Sequence, residues 1–317
     1  MRNLIILRHR QALLLMKLIN VCTTFIMCLY VDDILIFKTD IEVINEVKSF
    51  LSQNFEMKDL GEADLIKSEN GITLMQSHYV EKILSQFGYL DSNPSPTPYD
   101  TSKITRKNKG PGRGQLRYSQ IIGSLMYLAA GAARSDIFFV VSKLSWFTSN
   151  PRDDHWNMLK RVMHYLRGTM SHGLHYTRYP KVLEGYSDAN WIFDFNEMKA
   201  TSGYVFILGG AAVSWRSCEQ TILIRSTVKA ELTALDTSTI EAEWLRELLM
   251  DVPVGEKPIP AILMNCNNQP AIAKVNSAKD NAKSSRHVRR RIKSVRKLSN
   301  FRVIAVQYIN TAKNLAD

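Results

Sequence analysis

Two apolar runs that meet at an acidic turn constrain the fold of this chain more than any other feature. The runs cover residues 25–29 and 34–37, and the sequence Tyr-Val-Asp-Asp separates them. Two short apolar segments joined in this way predict a β-hairpin with two carboxylates at its tip. Because burial of two like charges is costly, Asp32 and Asp33 must face water or bind a cation. An acidic surface turn and a Mg²⁺ site that contacts nucleotide phosphates both fit the pattern.

The charge balance favours a polyanionic partner. The 317 residues include 41 Lys and Arg against 30 Asp and Glu, which gives a net charge of +11. Such an excess is typical of proteins that bind nucleic acid. A hydrophobic content of 45% is sufficient for packed cores in two or three modest domains, so wholesale disorder is not expected.

Cysteine usage and the N-terminus bear on the compartment. The four cysteines (Cys22, Cys28, Cys218 and Cys266) form no Cys-x-x-Cys pair. We therefore expect no disulfide framework, no zinc site and a reducing compartment, either cytoplasm or nucleus. The sequence also shows no nucleotide-cofactor motif. Residues 12–31 are rich in apolar side chains, but polar residues interrupt them, so we expect strands of a truncated domain and neither a signal peptide nor a membrane span.

The first half of the chain reads as alternating helices and irregular segments. Apolar residues at helical spacing predict helices over residues 41–55 and 77–87, with a strand over 71–76 between them. Three prolines make residues 91–99 irregular, and the basic, glycine-rich residues 103–114 predict a mobile loop. Three more helical patterns follow, at residues 118–128, 137–147 and 154–166.

The pattern changes after residue 168 to that of a mixed α/β domain. Gly209-Gly210 between two apolar segments predicts a β-hairpin. A long helix is predicted over residues 228–250, and a shorter helix over 287–298 carries an apolar stripe. Strands are predicted at residues 173–176, 183–186, 259–265 and 303–308.

Acidic or amide residues in this domain follow the predicted strands or lie on the long helix. They are Asp188, Glu231, Asn267 and Asp317. A nuclease that cleaves a phosphodiester with two Mg²⁺ ions needs several carboxylates at one edge of a sheet. Each residue taken singly is more often a solvated surface residue, but the set in this order predicts a metal-dependent active site.

The motifs resemble one known family. Residues 29–36 (Leu-Tyr-Val-Asp-Asp-Ile-Leu-Ile) resemble the catalytic hairpin of copia-type retrotransposon reverse transcriptases. Residues 185–191 (Gly-Tyr-Ser-Asp-Ala-Asn-Trp) and 266–269 (Cys-Asn-Asn-Gln) resemble the ribonuclease H domain of the same polyproteins. Residues 313–317 (Lys-Asn-Leu-Ala-Asp) resemble its C-terminal motif. The chain is identified as a member of the copia-type Pol family, to whose C-terminal part it is similar.

The resemblance implies a three-part α/β (α+β) organisation. Residues 1–100 correspond to a truncated reverse-transcriptase palm hairpin with a thumb-like segment. Residues 101–178 correspond to a helical connection. Residues 179–317 correspond to a ribonuclease H-like domain, for which the family implies a five-stranded mixed sheet flanked by helices.

The resemblance also implies the chemistry of the ribonuclease H part. Its catalytic positions are Asp188, Glu231, Asn267 and Asp317, and the three acids among them are implied ligands of Mg²⁺ or Mn²⁺. Position 267 is Asp in the family. An amide oxygen can still contact Mg²⁺, but the site loses one negative charge. We therefore expect hydrolysis of RNA in RNA–DNA hybrids to fall by roughly 100-fold or more.

In the polymerase part, the resemblance makes Asp32 and Asp33 metal ligands. The family places a third metal-binding Asp in a strand upstream of these residues, and the sequence before Asp32 holds no counterpart. Since two carboxylates alone cannot organise two metal ions and a nucleotide, we expect no polymerase activity.

A basic segment near the C-terminus predicts contact with an RNA–DNA hybrid or another nucleic acid, and no membrane partner is expected. The candidate residues are Lys283, Arg286, Arg289, Arg290, Arg291 and Lys293. On a helix they cover the solvated faces and can bind phosphates by counterion release. A nuclear-localisation signal and a merely solvated helix are the alternatives.

Three functional hypotheses remain open. The chain is a weakened enzyme that cleaves RNA in hybrids, a nucleic-acid-binding remnant without catalysis, or a pseudogene product without a stable fold.

Overall fold

A computed structural model describes residues 14–20, 23–30, 33–37, 40–55, 65–100, 102, 106–131, 134–177, 180, 182–190, 200–221, 226–251, 257–277 and 285–317. The chain divides into two compact units, Met1–Ala63 and Asp64–Asp317. Among the described helices, none combines the length and the apolarity needed to cross a lipid bilayer.

An antiparallel three-stranded sheet and one helix form the described part of the first unit. They are β1 (Leu14–Asn20), β2 (Thr23–Tyr30), β3 (Asp33–Phe37) and α1 (Ile41–Asn54). Tyr30 pairs with Asp33 across the turn, so the predicted hairpin is confirmed. Asp32 and the side chain of Asp33 lie outside the described residues, and their role as metal ligands stays a prediction. The Asp40 carboxylate begins α1 by accepting a hydrogen bond from the backbone N–H of Glu42 at 3.0 Å.

The second unit begins with a small antiparallel sheet and a helical core. The elements are β4 (Leu65–Ser68), β5 (Gly71–Met75), α2 (Ser77–Phe87), α3 (Gln115–Gly131), α4 (Phe138–Ser145), α5 (Asp153–Gly168) and β6 (Gly173–Thr177). Apolar side chains of all four helices share one core, including the fully buried Leu84, Leu125, Leu144 and Leu166. Helix α2 thus packs with α3 and α5, although the predicted boundary after residue 100 separates them. The boundaries after residues 100 and 178 stay predictions.

The basic segment that was predicted to be mobile has fixed contacts over residues 106–114. His155 is fully buried, and its Nε2 donates to the carbonyl oxygen of Arg106 at 3.0 Å because its Nδ1 accepts from the backbone N–H of Arg152. Asn150 Nδ2 donates to the carbonyl oxygens of Asn108 and Gly110. These contacts correct the expectation of a mobile loop, because buried side chains of the helical core position its backbone.

The C-terminal part of the second unit is a five-stranded mixed sheet flanked by helices, as predicted. Its elements are β7 (Glu184–Asn190), β8 (Thr201–Leu208), β9 (Ala211–Glu219), α6 (Thr227–Asp251), β10 (Ile262–Cys266), α7 (Gln269–Asn276), α8 (Arg286–Asn300) and β11 (Ile304–Tyr308). The strand order is β11-β10-β7-β8-β9. Strands β7, β10 and β11 are parallel, whereas β8 and β9 continue the sheet antiparallel to their neighbours.

Two local features fix this sheet. Gly209 and Gly210 have φ angles of 63° and 83°, which the tight turn between β8 and β9 requires and which side chains disfavour. Strand β9 also contacts the helical core, because Trp215 Nε1 donates to the carbonyl oxygen of Ala129 at 2.8 Å. The helical core and the mixed sheet are therefore joined by a direct hydrogen bond.

Candidate active site

The parallel pairing of β7 and β10 creates the candidate site. Ser187 and Cys266 are paired in register, so the residues that follow them, Asp188 and Asn267, lie side by side at the carboxyl end of the two strands. Asn267 Nδ2 donates to Asp188 Oδ1 at 2.8 Å. The structure therefore brings together two of the four predicted catalytic positions through a direct hydrogen bond.

Helix α6 and the C-terminus supply the other two positions. Glu231 lies in the second turn of α6, which packs on β7, and its side chain is buried. Asp317 is exposed, yet its charge acts on both Asp188 and Glu231. All four predicted catalytic positions therefore converge at one edge of the sheet.

Burial and mutual repulsion shape the protonation of this cluster. Burial, together with the charges of Asp188 and Asp317, raises the pKa of Glu231 to about 8, against a backbone hydrogen bond from Ala189 that lowers it. Burial and the Asp317 charge likewise raise the pKa of Asp188, against the hydrogen bond from Asn267. Burial raises the pKa of the neighbouring Cys266 thiol to about 12, so this thiol is protonated at neutral pH.

Two residues that the sequence did not single out support the cluster. Asn314 is buried, and its Nδ2 donates to the carbonyl oxygen of Ser187 at 3.1 Å while its Oδ1 accepts from the backbone N–H of Ala316. Gln220 is also buried, and its Nε2 donates to the carbonyl oxygen of Ala230 at 3.0 Å. Asn314 thus connects the C-terminal segment to β7, and Gln220 connects the end of β9 to the first turns of α6.

The oxygen atoms at this edge of the sheet fit a hard divalent ion only in part. Glu231 Oε2 and Asn267 Oδ1 are buried atoms without a hydrogen-bond partner, which suits oxygen ligands of such an ion. Within the described residues, however, no group of three or more His, Cys, Asp or Glu is arranged to hold a metal. The oxygen chemistry fits, but an amide stands where a third clustered carboxylate is needed.

The predicted nucleic-acid-binding residues differ in their exposure and contacts. Lys283 lies outside the described residues, whereas Arg286, Arg289, Arg290 and Lys293 are exposed on α8. Arg291 instead faces α6, where its Nη1 contacts Thr233 Oγ1 and its Nε lies 3.7 Å from Asp236 Oδ2. Burial raises the pKa of Asp236 and the Arg291 guanidinium opposes that rise. Arg291 therefore stabilises the packing of α8 on α6.

We expect Glu231→Gln to make the metal-free protein more stable at alkaline pH. Because the pKa of Glu231 is about 8 in the folded state and 4.5 for an ordinary glutamate, the folded state binds this proton more tightly than the unfolded state. Stability is therefore lost as pH rises from about 5 to 8, by an amount on the order of a few kcal/mol. Thermal melts of both proteins in chelator should diverge across this window.

Glu243→Gln is the matched control for that measurement, because Glu243 is an exposed acid on the same helix. It should follow the pH dependence of the parent protein. Equal pH dependence of the melting temperature for Glu231→Gln and the parent would contradict a raised pKa of Glu231, because ionisation of this group would then not destabilise the folded state.

Comparisons with known proteins agree with the geometry. Residues 14–101 match the family model for reverse transcriptase (RNA-dependent DNA polymerase). The chain is 32% identical over 308 residues to the retrovirus-related Pol polyprotein from transposon TNT 1-94 of Nicotiana tabacum, covering 92% of this chain and 23% of that polyprotein. It is 33% identical over 219 residues to a putative transposon Ty5-1 protein of Saccharomyces cerevisiae, covering 66% of this chain and 71% of that protein.

Solved ribonuclease H structures align with part of the chain. A ribonuclease H1 isolated from compost by a metagenomic approach covers 43% of this chain and 89% of its own, with 14% identity and a TM-score of 0.33. The observed strand order, rather than this likeness, assigns the fold of the sheet.

Proposed function

We propose, for a chain that belongs to the copia-type retrotransposon Pol family, that its ribonuclease H-like part binds RNA–DNA hybrids and cleaves their RNA strand only weakly. One observation carries this proposal. Asp188, Glu231 and Asp317 converge at the carboxyl end of β7 and β10, and an amide donates to Asp188 from the fourth position. The arrangement has the acids of a metal-dependent nuclease but one charge too few.

The residues have separable tasks in this proposal. Asp188, Glu231 and the Asn267 amide oxygen would hold Mg²⁺ or Mn²⁺, with the Asp317 charge beside them. When bound, such an ion activates water and stabilises the leaving oxygen. The Asn267 N–H group occupies a lone pair of Asp188 Oδ1, and Asn267 carries no charge, so this side chain weakens the attraction for the ion in two ways.

The exposed cations of α8 would hold the substrate. Arg286, Arg289, Arg290 and Lys293 line the solvated side of a helix whose opposite side packs through Val288, Ile292, Val295 and Leu298. No acidic residue occurs between residues 285 and 302. A surface of this kind attracts the phosphates of any duplex, so α8 would not distinguish RNA from DNA. The selection of the RNA strand would occur at the cleavage step.

A non-catalytic nucleic-acid binder is the second candidate. The hydrogen bond between Asn267 and Asp188 favours this candidate. In the metal-free protein, Asp188 Oδ1 already accepts from Asn267, whereas an active enzyme would offer this oxygen to the metal ion. The free thiols of Cys218 and Cys266 are consistent with a reducing compartment for either candidate.

An assay on a labelled RNA–DNA hybrid separates the two candidates. The purified chain and its Asp188→Asn variant are compared for binding across a salt series and for cleavage with Mg²⁺ or Mn²⁺. We expect equal, salt-sensitive binding by both proteins and slow cleavage by the parent alone. Binding without cleavage by the parent would favour the non-catalytic binder, and absence of binding at low salt would contradict both.

A further inference from the structure

The helical core carries a second concentrated positive surface that the proposed site does not use. We call residues 106–114 the basic loop; it contains Arg106, Lys107, Lys109 and Arg113 and no acidic residue. Arg106, Lys109 and Arg113 belong to exposed residues, and Arg117 follows on the first turn of α3. Five cations within twelve residues form a charge density comparable to that of α8.

We propose that the basic loop is a second binding surface for the phosphate backbone of nucleic acid. This inference deepens the proposed function, on which it rests, by adding a contact for the same class of partner. The loop precedes the N-terminal end of α3, while the C-terminal end of α3 contacts β9 through Ala129 and Trp215. At 1.5 Å per residue, the loop lies about 20 Å along α3 from that contact.

Hydrogen bonds to its backbone preorganise the basic loop for binding. Besides the contacts from His155 and Asn150, Trp156 Nε1 donates to the carbonyl oxygen of Arg113 at 2.8 Å, and the backbone N–H of Arg113 donates to the carbonyl oxygen of Pro151. All these bonds hold backbone atoms of the loop, so phosphate contacts made by the side chains of Arg106 and Lys109 would leave them intact. Because the backbone is already ordered, binding loses less conformational entropy than it would with a mobile loop.

The neighbouring acids do not neutralise this surface effectively. Arg113 Nη1 lies 3.0 Å from Asp153 Oδ1, but the two side chains are 72% and 61% exposed. An ion pair this exposed contributes little and is screened by salt, so a phosphate can replace the carboxylate at small cost. Asp154 is paired with Arg152 instead.

The loop also borders an open depression with a mixed polar and apolar lining. Its volume is about 580 Å³, and it is lined by Gln86, Phe87, Gly114, Gln115, Leu116, Arg117 and Gln120. Side-chain amides and a guanidinium can donate hydrogen bonds to phosphate and sugar oxygens without reading base sequence. The surface therefore fits a nucleic-acid backbone of any sequence.

The test compares two full-length double variants with equal loss of charge. Arg106→Gln/Lys109→Gln removes loop cations without touching the bonds that hold the loop, since those bonds involve backbone atoms. Lys67→Gln/Lys82→Gln removes two exposed cations from β4 and α2. Binding of a labelled RNA–DNA hybrid is measured across a salt series, with thermal melts to verify folding and polyglutamate as a competing polyanion.

We expect the loop variant to lower the slope of log K against log salt by roughly 1 to 2, which corresponds to one or two lost phosphate contacts. Its affinity at low salt should fall several-fold, while the control should bind like the parent. An unchanged slope in the loop variant would overturn the inference. So would an equal loss of hybrid and polyglutamate binding, which indicates a surface for any acidic polymer.

The two proposals fail in different ways. Absence of cleavage with either metal ion, together with loop-dependent binding, contradicts the proposed catalysis and leaves the second surface standing. Binding that depends on α8 and is unaffected by the loop variant contradicts the second surface alone.

Discussion

Replacing Asn267 by Asp is expected to raise metal-dependent cleavage of RNA in an RNA–DNA hybrid by about 100-fold or more. The substitution restores the missing charge and removes the N–H group that donates to Asp188. Three carboxylates then converge beside Asp317, which is the type of oxygen cage that hard divalent ions prefer. The measurement is the initial cleavage rate with Mg²⁺ and with Mn²⁺, compared with the parent under identical conditions.

The adjacent residue provides a matched control. Asn268 caps α7, since its Oδ1 accepts from the backbone N–H of Ala271, and Asp is an equally good cap. Asn268→Asp therefore adds the same charge one residue away and should leave cleavage unchanged. Adding Asp188→Asn to Asn267→Asp should abolish the gain. A rate that stays at the parent level in Asn267→Asp would remove position 267 from the metal site.

Asn267→Asp should also lower the stability of the metal-free protein, and this loss is a second test of the role of position 267. Without metal, Asn267→Asp replaces a hydrogen-bond donor by a third acid beside two carboxyl groups whose pKa values burial already raises. The metal-free variant should therefore be less stable than the parent. Divalent ions should recover its melting temperature by binding only the folded state.

The mixed sheet follows from signals that are local in sequence. The hairpin at Gly209-Gly210 needs two residues with positive φ, and glycine is the residue type that supplies them freely. Asp188 lies near the carboxyl end of β7 and Asn267 directly follows β10, so the two converge provided that those strands are parallel neighbours. The family resemblance implied a five-stranded mixed sheet without specifying its pairs, and the structure supplies the parallel pairing of β7 and β10.

Other parts depend on contacts that no local pattern reveals. Strand β4 has only four residues, which is too short for a recognisable alternation of apolar and polar side chains. Its pairing with β5 defines it as a strand. Arg291 has the same chemistry as its neighbours on α8, and only the packing against Asp236 and Thr233 distinguishes it. Asn314 lies within the C-terminal motif, but its partner Ser187 is more than a hundred residues away. A buried amide that connects distant segments gives no sequence signal beyond its identity.

Neutralising the exposed face of α8 is expected to weaken binding of the hybrid by on the order of 100-fold at low salt. The variant carries Arg286→Gln, Arg289→Gln, Arg290→Gln and Lys293→Gln. If each cation contacts one phosphate, the slope of log K against log salt should fall by about 3 to 4. The apolar stripe through Val288 and Val295 is unchanged, so the helix should remain packed. Filter binding or fluorescence anisotropy across a salt series measures the slope.

Arg291→Gln is the informative contrast, because it removes one charge from the same helix at a position that faces α6. Loss of its contacts with Asp236 and Thr233 should lower the melting temperature, while the salt slope should stay near that of the parent. A merely solvated helix predicts no change of slope in the fourfold variant. Equal effects of Arg291→Gln and a single exposed substitution such as Arg290→Gln would mean that net charge, rather than the geometry of α8, determines binding.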